Sequence, residues 1–126
     1  MGEQMRIAVG LRSINYLGGI ATYTQQILAH LLEIDRENEY VLLYPSFDSA
    51  REAFGRYSDR ENVTEVLSSS PIPIGHYWDQ VVVARECRHR DIDVFFNPFL
   101  SVPLIGRTKK VFVMHGCEWY TMPEVF

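Results

Sequence analysis

At 126 residues the chain has room for one domain with a continuous core, and 47% hydrophobic with 22% charged residues excludes a disordered or low-complexity protein. A formal net charge of −4, with no basic stripe interleaved with aromatics, argues against nucleic acid as a partner. No apolar run approaches the roughly 20 residues that cross a bilayer. The start, Met1-Gly2-Glu3-Gln4-Met5-Arg6, lacks a signal peptide's apolar segment, and Cys87 and Cys117 have no thiol or histidine at zinc-site spacing. The chain therefore reads as a cytoplasmic protein with reduced thiols.

In chain order the signals alternate between strand and helix, the pattern of an α/β domain. Arg6 to Leu11 is a short apolar run suited to a central parallel strand, and Arg12 to Gly18 is a loop. Gly19 to Ile34 sets Ile20, Tyr23, Ile27, Leu28, Leu31 and Leu32 at helical spacing and predicts an amphipathic helix with those residues inward. Tyr40 to Tyr44 is the second strand, closed by Pro45. A weak helix is expected over 49–57, and Val63 to Leu67 is the third strand, followed by a Ser- and Pro-rich loop to Gly75. A second helix over Tyr77 to His89 is expected to turn Trp78, Val81, Val82 and Arg85 to one side. Its end carries Arg85, Arg88, His89 and Arg90, read first as a solvated face that suits the helix dipole, with an anionic ligand or peripheral membrane contact as the alternative. Val94 to Asn97 and Lys110 to His115 are the fourth and fifth strands.

Strands joined in this way pair in parallel through right-handed crossovers, which predicts a Rossmann-like open parallel sheet with helices on both faces. Ligands of such sheets bind outside the carboxyl ends of the strands. The segments that follow the strands, 12–19, 44–47, 68–77, 97–103 and 115–120, therefore hold the candidate site.

Gly18 and Gly19 precede the first helix. Either they let the backbone approach an anion at the helix start, or they only shape a tight turn. The G-x-G-x-x-G fingerprint of dinucleotide folds and the G-x-x-x-x-G-K-[ST] phosphate loop are both missing, which counts against dehydrogenases and simple NTP hydrolysis. His115 follows the fifth strand and can donate a hydrogen bond to a sugar hydroxyl or a developing charge, although a lone histidine is more often structural. Phe99 lies past the fourth strand, where Asn97-Pro98 makes a rigid turn, and can line a pocket.

Three stretches together resemble the N-terminal domain of retaining GT-B glycosyltransferases of glycosyltransferase family 4. The first runs from Gly18-Gly19-Ile20-Ala21-Thr22-Tyr23-Thr24 through Leu31-Leu32 to Asn38-Glu39-Tyr40-Val41-Leu42-Leu43. The second is Asp93-Val94-Phe95-Phe96-Asn97-Pro98 with Val102-Pro103-Leu104, and the third is Val111 to His115 with Pro123-Glu124. The stretch 46–75 matches poorly, and Gly116 stands where the family often has an aspartate after the histidine.

The resemblance implies an acceptor-side domain, spanning 1–126, of an enzyme that transfers a sugar from a nucleotide-diphosphate donor to a glycan or lipid-linked acceptor. It implies Gly18 and Gly19 near the donor diphosphate and His115 facing the transferred sugar. Arg12, Tyr77, Asn97 and Phe99 would help to shape the acceptor side. No cofactor or metal is implied beyond the nucleotide sugar itself. Most of the donor site would belong to the chain's own C-terminal domain, absent from these residues, so the domain is expected to be inactive in isolation. The alternatives are a non-enzymatic α/β ligand-binding or regulatory module, and a hydrolase using Cys117 with His115.

Overall fold

The computed structural model describes residues 4–12, 14, 19–46, 54–72, 77–98, 103 and 106–113. Among the described residues five strands form one sheet: β1 (Arg6–Gly10), β2 (Glu39–Tyr44), β3 (Val63–Leu67), β4 (Val94–Asn97) and β5 (Lys109–Phe112). Their order is β3-β2-β1-β4-β5, and every pairing is parallel, with Val9 opposite Leu42 and Phe96, and Asn97 opposite Phe112. Helix α1 (Gly19–Ile34) links β1 to β2. A π-helical turn (Trp78–Val82) running into helix α2 (Val83–His89) links β3 to β4.

The period-2 alternation of the strands sorts the core into two layers, one under each helix. Val9, Tyr40, Leu42 and Tyr44 pack with Leu28 and Leu32 of α1. Ala8, Val41, Leu43 and Phe95 point to the other face and pack with Trp78, Val82, Val83 and Cys87. This is the Rossmann-like α/β sheet with helices on both faces that the alternation of elements predicts.

Four expectations change in detail. On α1 the most buried line is Ala21, Thr24, Leu28 and Leu32, while Tyr23, Ile27 and Leu31 are only half-buried. The small side chains at 21 and 24 lie on the buried line, and the larger residues flank it. On the second helix Val81 is 40% exposed and Arg85 is exposed, while Asp79, Val83 and Cys87 are buried instead. The helix opens with a π turn closed by the Val83 N–H donating to the Trp78 carbonyl. The buried face follows Trp78 with Val82 and Asp79 with Val83 and Cys87 at four-residue spacing, centred on a polar residue that hydropathy discounts.

Third, residues 54–59 form turns around Gly55, whose φ of +92° has no place inside a helix. The rest of the weak helix expected over 49–57 lies outside the described residues. Fourth, β5 starts at Lys109 and ends at Phe112, with Val113 beyond it, and Val111 and Phe112 are 49% and 44% exposed. β1 stops at Gly10, one residue short of the expected Leu11, although the Leu11 N–H still donates to the Leu43 carbonyl, and β2 begins one residue early where the Glu39 N–H donates to the Met5 carbonyl.

The link from α1 to β2 is held by Asp35. Its carboxylate accepts from the Tyr40 hydroxyl at 2.7 Å, from Asn38 Nδ2 at 2.9 Å and from the backbone N–H groups of Glu37 and Asn38. Burial alone would raise its pKa, but these donors outweigh burial and bring it from the ordinary 3.8 down to about 2. A folded-state pKa below the unfolded one stabilises above the unfolded value, and that contribution disappears as pH falls from about 4 to about 2. Asp35→Asn should therefore flatten the acid limb of urea-unfolding midpoints between those pH values. Equal slopes for variant and wild type would show that the carboxylate titrates alike in both states.

Candidate functional site

The strand order reverses between β1 and β4. From β1 the chain crosses outward through α1 to β2, and from β3 it crosses back through the second helix to β4. The crevice outside the carboxyl ends of two such strands is where open α/β sheets bind ligands. Leu11, Arg12 and Ile14 leave β1 at this point, Asn97 and Pro98 leave β4, and Ser68 leaves β3 on the far side of β2.

Arg12 is held by a residue that the sequence reading did not single out. Its Nε donates to Asp79 Oδ1 at 3.0 Å and its Nη2 to Asp79 Oδ2 at 2.7 Å, a two-pronged ion pair. The Asp79 side chain is 1% exposed and that of Arg12 is 20% exposed. Asp79 lies in the π turn, and π turns recur at functional sites. In sequence it is an ordinary acidic residue in a first helical turn. It stands four residues before Val83 and eight before Cys87, on the face the helix buries, but an inward face drawn through Trp78, Val81, Val82 and Arg85 leaves it out.

The floor beneath this pair is fitted closely. A Cβ on Gly10 would stand 2.7 Å from Phe95 Cζ and 3.1 Å from Cε1, and Phe95 is 1% exposed. Glycine at this position lets β1 run directly beneath the Phe95 ring. Gly10→Ala should therefore cost about 1–3 kcal/mol through overpacking. Phe95→Leu in the same background should recover part of that loss in urea unfolding, and a cost below about 0.5 kcal/mol would show that the ring yields freely.

Trp78 is 2% exposed and donates from Nε1 to the Ser68 carbonyl at 2.8 Å, while Ser68 Oγ donates to Glu86 Oε1 at 2.9 Å. Burial pushes the Glu86 pKa up, but hydrogen bonds from Arg90 and Ser68 outweigh it and hold the carboxyl below its usual value. The segment after β3 is thus tied to the helix that follows.

Of the expected site residues, Arg12, Tyr77 and Asn97 lie in this region. Tyr77 is half-buried at the start of the π turn and packs against the core layer of Trp78 and Phe95. Asn97 is 3% exposed at the end of β4, on the strand face it shares with Phe95. Gly19 is the first residue of α1. Gly18, Phe99 and His115 lie outside the described residues, as does Cys117. Cys87 is buried, and burial pushes its thiol up to about 11 against the opposing Thr108 hydrogen bond and Lys110 charge, which leaves it a poor nucleophile.

Among the described residues no group of three or more His, Cys, Asp or Glu side chains is placed to hold a metal ion, and no helix is long and apolar enough to cross a membrane. Set beside known proteins, the chain matches no family model, no curated protein and no solved structure.

Proposed function

We propose that this domain is the acceptor side of a retaining glycosyltransferase that moves a sugar from a nucleotide-diphosphate donor to a glycan or lipid-linked acceptor. The observation that supports this most is the position of the strand-order reversal. It sets the carboxyl end of β1, from which the chain leads to the glycine-started α1, beside the carboxyl end of β4 with Asn97. The sequence resemblance puts its donor and acceptor residues at the same strand ends.

In this reading Gly18 and Gly19 let the diphosphate approach the unpaired amides at the start of α1, which favour the charge that grows on the leaving group. The first turn of α1 has no acidic residue to oppose it. His115 hydrogen-bonds the transferred sugar, and Tyr77, Asn97 and Phe99 shape the acceptor side. Arg12 is a positioning residue that acts through Asp79 to fix the π turn beside Tyr77. The nucleotide itself is held mainly by a second, donor-binding domain, and no cofactor takes part.

Calorimetric titration with UDP, GDP and their sugars tests this on the 126-residue chain and on the protein carrying a donor-binding domain. Binding by the two-domain protein with little by the chain alone is expected. Equal binding by both would move the donor site onto this domain and contradict the acceptor-side assignment. No binding by either would remove the glycosyltransferase reading and favour a module of another kind.

A further inference from the structure

A groove of about 840 Å³ lies along α2, the 91–93 link and β5, away from the crevice at the carboxyl ends of β1 and β4. Its cations come from the last turns of α2 and from the start of β5, which is the opposite, amino-end side of the sheet. Its size is that of a small-molecule site.

The floor is apolar. Cys87, Ile92, Phe95 and Pro103 line it and are buried, and Val81, 40% exposed, extends that surface outward. The rim is basic, with Arg85, Arg88, Arg107 and Lys109 all lining the groove and all exposed. The ion pairs among the described residues, Arg6 with Glu39, Arg12 with Asp79 and Arg90 with Glu86, include none of these four. Lys110, also on the groove, turns its ammonium back onto the carbonyls of Gly106 and Thr108.

Two carboxylates, Asp91 and Asp93, share the lining, and Asp93 accepts the backbone N–H of Arg6. Four rim cations against two carboxylates leave a positive groove on a chain whose net charge is −4. A helix face that is merely solvated needs no buried apolar floor beneath its charges. Arginine forks match phosphate oxygens, and the floor matches an apolar body.

We propose that this groove binds a phosphate-bearing ligand with an apolar body, either free or as the headgroup end of a lipid. The site is independent of the function assigned to the crevice. The test titrates the chain with hexyl phosphate, inorganic phosphate and hexanol, and separately measures its retention on vesicles of phosphatidylcholine with and without phosphatidylglycerol. Arg88→Glu/Lys109→Glu removes rim cations, and Arg36→Glu/Arg56→Glu makes the same charge change at exposed positions elsewhere.

A free ligand predicts saturable hexyl phosphate binding, stronger than that of phosphate or hexanol. That binding should weaken at least about tenfold in the rim variant and stay unchanged in the control. A lipid source predicts the same variant dependence for vesicle retention without binding of soluble hexyl phosphate. Absence of both kinds of binding, or equal effects of the two double substitutions, overturns the proposal.

Discussion

Arg12→Ala is expected to lower the unfolding free energy by about 3–5 kcal/mol, because it leaves the Asp79 carboxylate buried without its counter-ion. The Asp79 side chain is 1% exposed and uses both oxygens on one guanidinium, so water cannot replace what is lost without opening the π turn. Arg12→Met with Asp79→Leu removes both charges and should recover most of the loss, since replacing a whole buried pair by apolar residues of similar size is often neutral. The pair should also be insensitive to salt, because buried charges are screened far less than exposed ones. Urea unfolding followed by circular dichroism at low and high salt measures all three effects. A cost below about 1 kcal/mol for Arg12→Ala, the range of an exposed pair, would mean that Asp79 reaches solvent.

Trp78→Ala should cost a similar amount, about 3–5 kcal/mol, by leaving a cavity in the core layer that Trp78 shares with Val41, Leu43 and Phe95. Single domains are stable by only about 5–15 kcal/mol, so this variant is expected to unfold at low denaturant or to lose its cooperative transition. Trp78→Phe keeps much of the ring volume but removes the donor to the Ser68 carbonyl, which should cost about 1–3 kcal/mol for an unsatisfied buried acceptor. A Phe variant as damaging as the Ala variant would show that the hydrogen bond, and not the packing, dominates at this position.

The elements themselves were readable because their signals are local. Short runs rich in apolar or β-branched residues such as Ile7-Ala8-Val9 and Tyr40-Val41-Leu42-Leu43-Tyr44, and a 16-residue amphipathic helix, announce themselves within a few residues. The crevice was readable for a related reason, since an alternating order of strand and helix leaves few sheet topologies.

What the sequence concealed depends on apolar residues that draw the expected face off line or on distant residues meeting. Asp79 shares the buried face of Trp78, Val82, Val83 and Cys87, whereas the apolar Val81 drew the expected face away from it. The inward line of α1 passes through Ala21 and Thr24, which hydropathy passes over in favour of Ile27 and Leu31. The basic groove joins the end of α2 to Arg107 and Lys109, which pairing of β4 with β5 brings alongside, so only the α2 half of it stood out as a run of arginines.

The proposed glycosyl transfer is tested most directly by release of UDP or GDP from nucleotide sugars by a protein that joins this domain to a donor-binding domain, with and without acceptor, in wild type and in His115→Ala. Turnover of one donor class with retained configuration at the sugar is expected. His115→Ala should lower kcat about 100-fold, the scale of one lost hydrogen-bond donor to developing charge, with the urea midpoint unchanged. No turnover of any common nucleotide sugar, or turnover indifferent to His115, would contradict the proposed glycosyl transfer.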